Sequence, residues 1–118
     1  MGVYNGTGTI AANVDLGIYA SDGTLIVSTG SQTRSGTNAI QVYDITDTPL
    51  AVGAYYMALA CSAATDTFFR FTTMSTLWMR ACGIQEMDTA LPLPSAATFA
   101  NPSAAFIPWM GLTTRAVF

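Results

Sequence analysis

The chain has 118 residues, enough for one hydrophobic core, and only 9% of them are charged against 51% apolar. Its four basic residues are Arg34, Arg70, Arg80 and Arg115, its net charge is −3, and lysine and histidine are absent. These numbers exclude the basic footprint of a nucleic-acid binder, any catalytic triad, Cys-His pair or zinc site built on imidazole, and a disordered chain.

Period-two alternation runs through most of the sequence up to Cys82. Gly6-Thr7-Gly8 opens no helix and reads as a loop or strand start, not as a phosphate cradle. From Asn13 to Tyr19, Val14, Leu16 and Ile18 alternate with Asn13, Asp15, Gly17 and Tyr19, which predicts a half-buried strand. Ser21-Asp22-Gly23-Thr24 is a hairpin signal, and the strand after it, Thr24 to Thr29, is expected to set Ile18 opposite Val27. Gly30 to Asn38 is a polar loop. Ala39 to Ile45 predicts a third strand with Ile40 and Val42 inward. After a turn from Asp44 to Pro49, Ala54 to Cys61 reads as a central strand. Tyr55, Met57 and Leu59 lie on one face; on the other, Ala58 and Ala60 beside Tyr56 are small enough to sit under a neighbouring element.

Thr67 to Thr72 and Thr76 to Cys82 are expected to pair as strands about Thr73-Met74-Ser75. That pairing sets Phe71 against Met79, Phe69 against Ala81 and Arg70 against Arg80. Residues 1–83 then form the core. Residues 84–118 read as an extended arm, with a late apolar cluster from Phe106 to Leu112, packing on the same domain or on a neighbouring subunit. The fold expected is all-β, an antiparallel β-sandwich (jelly-roll or Ig-like) with an extended Pro/Ala-rich C-terminal arm.

A surface this poor in charge predicts cover by other protein copies, in a homo-oligomer of closed symmetry; a trimer is one such count, which composition does not fix. The expected contact residues are Trp78, Trp109, Met110 and Phe118. Arg70 and Arg80, set among Phe69, Phe71, Trp78 and Met79, are expected to hold an intersubunit or internal ion pair. The uncharged run from Thr48 to Thr65 contains Pro49 and Gly53, and the run from Thr89 to Thr114 contains four prolines, so neither is expected to span a membrane. No signal peptide is read at the N-terminus. Cys61 and Cys82 have no metal-ligand spacing and are expected as free buried thiols. Asp22, Asp44, Asp47 and Asp66 fall at turns, where aspartate bonds its own backbone. No catalytic, cofactor or metal site is therefore expected; a calcium site at Asp15 lacks supporting spacing. The aromatic residues suit packing and interfaces first, and a sugar-stacking face second.

Asn13-Val-Asp-Leu-Gly-Ile-Tyr19, Asp22-Gly23-Thr24, Gly30-Ser31, Asp44-Ile-Thr46 and Gly53-Ala-Tyr-Tyr-Met-Ala-Leu-Ala60 together resemble a β-sandwich module of tailed-bacteriophage virion proteins, found in fibres and surface decoration proteins. Leu91-Pro92, Pro102, Ile107-Pro108 and Arg115 are similar to that module's tail, so the likeness spans residues 3 to 115. The pre-peptidase C-terminal domain of secreted proteases has a similar rhythm. The resemblance implies a noncatalytic structural protein located on the virion, a decoration or cement protein that binds capsid or fibre subunits. It implies no catalytic residues. The alternative expectation is a receptor- or glycan-binding module of a tail or fibre, with a host-surface glycan as partner.

Overall fold

The computed structural model describes residues 1–8, 11–72, 75–87, 91–103 and 107–113. Its elements are β1 (Gly2–Tyr4), β2 (Asn13–Ala20), β3 (Leu25–Ser28), β4 (Gln32–Thr33), β5 (Ile40–Val42), β6 (Tyr55–Cys61), β7 (Arg70–Phe71), α1 (Thr76–Ala81), β8 (Ile107–Pro108) and β9 (Met110–Gly111). Among the described residues the chain is mostly strand with one short helix, and its sheets are antiparallel.

β2 is the centre. It pairs with β6 from Val14 opposite Cys61 to Ala20 opposite Tyr55. Its other edge takes β3, with Ile18 opposite Val27 as the hairpin signal implied, and then β4. The expected half-buried strand is in fact covered on both faces: Val14 and Leu16 are wholly buried, and so are Asp15 and Tyr19. One face packs Met1, Val3, Val14, Leu16, Ile18 and Tyr43 against Met57, Leu59 and Phe68. The other packs Tyr19, Ala58, Ala60 and Leu93 against Tyr56, Met87, Leu91 and Phe99. Burial of each large apolar side chain contributes about 1.5–3 kcal/mol.

The second face is covered by the chain's own later segment. Leu93 N–H donates to the Asp15 carboxylate at 2.9 Å, and the Tyr19 hydroxyl donates to Pro94 C=O at 2.6 Å. Leu25 N–H reaches Ser95 C=O, and Ala97 N–H reaches Gly23 C=O. The segment lies this close because two positions lack a side chain. A Cβ at Gly17 would stand 2.6 Å from Leu93 Cδ1, and one at Gly23 would stand 2.7 Å from Ala97 C=O.

The second sheet runs β5-β1-β9, with β7 pairing β8 beside it. Three segments meet at a closed ring of backbone bonds: Tyr4 N–H to Trp109 C=O, Trp109 N–H to Phe69 C=O, and Phe69 N–H to Tyr4 C=O.

The expected hairpin around Thr73-Met74-Ser75 does not form. Thr76–Ala81 is α1, because the Ser75 side chain caps the free Trp78 N–H and Leu, Met, Arg and Ala follow, all good helix formers. Gly83, at φ +76°, ends the helix with its N–H on Arg80 C=O. Phe71 therefore lies opposite Ile107, not Met79, and Arg70 lies opposite Pro108, not Arg80. Both cysteines are free; Cys61 is half-buried, but Cys82, at the exposed end of α1, is not buried as expected.

Candidate interaction surface

The surface is set by a polar anchor beneath it. Arg34 comes from the polar loop and is 3% exposed. Its Nη1 donates to Asp66 Oδ2 at 2.7 Å, and its Nε and Nη2 donate to Asn5 Oδ1 at 3.0 and 2.8 Å. Nη2 also reaches Thr67 C=O, and the guanidinium lies 3.9 Å from the centre of the Phe68 ring. Asp66, expected as a turn residue, is thus half of a buried ion pair, and it also accepts Ala12 N–H at 2.9 Å. Asn5 spends its amide on Ser35 C=O, Gly36 C=O and Gln41 Oε1. Gln41 Oε1 accepts Ser35 N–H as well, and its Nε2 donates to Thr33 C=O.

That use of Gln41 decides which way β5 faces. Strand residues alternate, so with Gln41 turned inward Ile40 and Val42 turn outward, 57% and 67% exposed. The expected inward Ile40 and Val42 are corrected. An apolar core position is lost to an amide because the buried Asn5 and the loop backbone need a hydrogen-bonding partner there.

The register carries the outward face across the sheet. Tyr4 lies opposite Ile40, and Gly2 opposite Val42 on one side and Gly111 on the other. At the ring of backbone bonds, Tyr4 stacks on Phe69 with centroids 4.2 Å apart and meets Trp109 edge-on at 5.9 Å. Phe69 is 42% exposed, Trp109 43% and Phe71 59%. The result is an apolar and aromatic face on one side of the molecule, carrying rings at Tyr4, Phe69 and Trp109 and open at Gly111.

Of the expected contact residues, Trp109 stands on this face. Met110, next in the strand, turns the other way and is half-buried. Arg70 sits between Phe69 and Phe71, so alternation points it away from the face, towards a cleft. Trp78 and Arg80 lie apart on α1, Trp78 exposed beside Leu77, and Arg80 in the last turn, where a cation suits the helix dipole. Phe118 lies outside the described residues, as do Phe106 and Arg115. Sequence reading missed Ile40, Val42 and Phe71 as surface residues, and Arg34 and Asp66 as their support. The available signal was Arg34 itself, a cation in a polar loop of a chain with only four.

The cleft, of about 1200 Å³, runs along the outer edge of β6, which pairs with no strand among the described residues. Met79, Met87, Phe99 and Met110 are among its walls. Among the described residues no group of three or more His, Cys, Asp or Glu gathers as a metal site, and no helix is long and apolar enough to cross a membrane. Several acidic side chains among the described residues hold neighbouring backbone or hydroxyl groups. Asp15 accepts from Leu93 N–H and the Thr29 hydroxyl, Asp22 accepts from Thr24 N–H, and Glu86 accepts from Ser103. The Thr24 bond holds the Asp22 carboxyl below its ordinary value of 3.8. Burial, and then the nearby Asp15, raise the Tyr19 hydroxyl above 10.0, and burial raises Tyr43 against the opposing charge of Arg34. Comparison with protein-family models, with curated proteins and with solved structures finds no match.

Proposed function

We propose that this chain is a noncatalytic structural protein of a bacteriophage virion, a β-sandwich on the particle surface that binds capsid or fibre subunits. The observation that carries the reading is the exposed face of Ile40, Val42, Tyr4, Phe69, Phe71 and Trp109 on a chain with 9% charged residues. Exposed apolar patches of this kind mark interaction sites. A decoration protein works by mass action, since only the assembled particle offers its site and every bound copy stabilises the assembly. The sequence likeness to phage surface modules points the same way.

Immunogold electron microscopy of purified particles with an antibody to this chain tests the reading. Label spread over the heads is the expected result, and absence of label from intact particles would overturn it. Label confined to tails or fibre tips would favour the second reading, a glycan-binding module. That reading draws on the stacked Tyr4–Phe69 pair and the exposed Trp109 ring, because aromatic faces carry sugars well. It requires binding of the folded protein on a glycan array, with loss of that binding in Trp109→Ala.

A further inference from the structure

We propose that the outward face of the β5-β1-β9 sheet is a two-fold interface between two copies of this chain. In it the ring-bearing Tyr4–Trp109 end of each copy is seated on the Gly2–Gly111 row of the other, which has no side chains and is open at Gly111. The proposal rests on the assembly reading above and names the partner of that face.

Three observations favour a second copy. The first is area. With about 200 Å² for a large side chain, the exposed fractions of Ile40, Val42, Phe69, Phe71 and Trp109 leave roughly 500 Å² of apolar surface per molecule. Two copies together then bury about 1,000 Å² before any rim is counted, which reaches the size of a specific interface.

The second is charge. The side chains of this face are all uncharged, and Arg70 is turned to the opposite side of its strand. Identical copies of a chain with net charge −3 therefore meet here without placing like charges together.

The third is shape. Gly2 and Gly111 lie opposite each other without side chains; a Cβ added at Gly111 would meet nothing within 4 Å, while the space over Gly2 is flanked by Val42 and Ile40, so this end of the face is open at Gly111. The other end carries the stacked and edge-on rings. A surface with large rings at one end and an open glycine position at the other can complement itself under a half-turn, which is the requirement of an isologous contact.

The test is sedimentation equilibrium of the full chain together with Val42→Asp and Gly111→Leu. Both substitutions fall on solvent-exposed or open positions, so far-UV circular dichroism is expected to stay unchanged. The native chain is expected at twice its monomer mass at micromolar concentration. Val42→Asp buries a carboxylate without a counter-charge against the partner's Ile40–Tyr4 row, and Gly111→Leu fills the open position; each is expected to weaken the dimer by at least about 100-fold. A native chain that stays monomeric at about 100 µM overturns the proposal, and so does a dimer that survives both substitutions. Immunogold labelling of particles separates the two ideas. A dimer that leaves particles unlabelled keeps this interface and removes the virion role; a monomer that labels particles does the reverse.

Discussion

Arg34 ties several segments of this molecule together. One guanidinium serves Asn5, Asp66 and Thr67 and covers Phe68, tying the polar loop to β1 and to the segment leading into β7. Arg34→Met would leave the buried Asp66 carboxylate without its counter-charge, held by the Ala12 N–H, and the buried Asn5 amide oxygen without its donor. The expected loss is about 3–5 kcal/mol in urea denaturation. Arg34→Lys keeps the charge but has a single compact ammonium in place of the planar fork whose separate nitrogens reach Asn5, Asp66 and Thr67, so an intermediate loss of about 1–3 kcal/mol is expected. Equal stability of both variants with the native chain would show that the network is dispensable. Tyr19 and Tyr43 bear on pH. Their hydroxyls are raised above 10.0 when folded, while in the unfolded chain they ionise near that value. The unfolded chain therefore releases protons first, and stability is fully present below about pH 10 and lost as pH rises through the folded values. Alkaline denaturation followed by phenolate absorbance should show this limb, and Tyr43→Phe should flatten it.

At the scale of elements, the strap over the second face of β2 gives the clearest test. Gly17→Ala would drive a methyl into Leu93 at 2.6 Å and Val27 C=O at 3.1 Å. Overpacking of this kind costs about 1–3 kcal/mol. Because the strap also takes the Leu25 N–H, faster hydrogen exchange at Leu25 and Ala97 is expected while β6 amides stay protected; uniform loosening would assign the cost to the whole sheet instead. The strap also marks how far the sequence was readable. β2, β3 and β6 follow from alternation and one Asp-Gly turn, because both core faces repeat every second residue. Ala58 and Ala60 signalled an element lying over them. Three other features were hidden. α1 carries the same apolar spacing as a short strand over six residues, so Ser75 was the deciding residue. β5 faces outward because a buried amide network claims Gln41. β7 pairs with β8, some 36 residues later, a contact that local pattern does not encode.

For the whole molecule, sparse charge fixes the thermodynamic character of its assembly. A contact made by Ile40, Val42 and aromatic rings removes apolar surface from water and crosses no ion pair on the face. Dimerisation through it should therefore have a negative heat-capacity change. With about 1,000 Å² buried, almost all apolar, the expected value is roughly −0.4 to −0.5 kcal/mol/K. Screening has nothing to act on, so raising salt from about 0.1 to 1 M should leave the dissociation constant unchanged or lower it. Isothermal dilution calorimetry at several temperatures and two salt concentrations measures both. A heat-capacity change near zero, or a dimer that weakens as salt rises, would mean that the copies meet through their few charges, and the contact would then have to lie elsewhere, nearer Arg70 or Arg80 than Trp109.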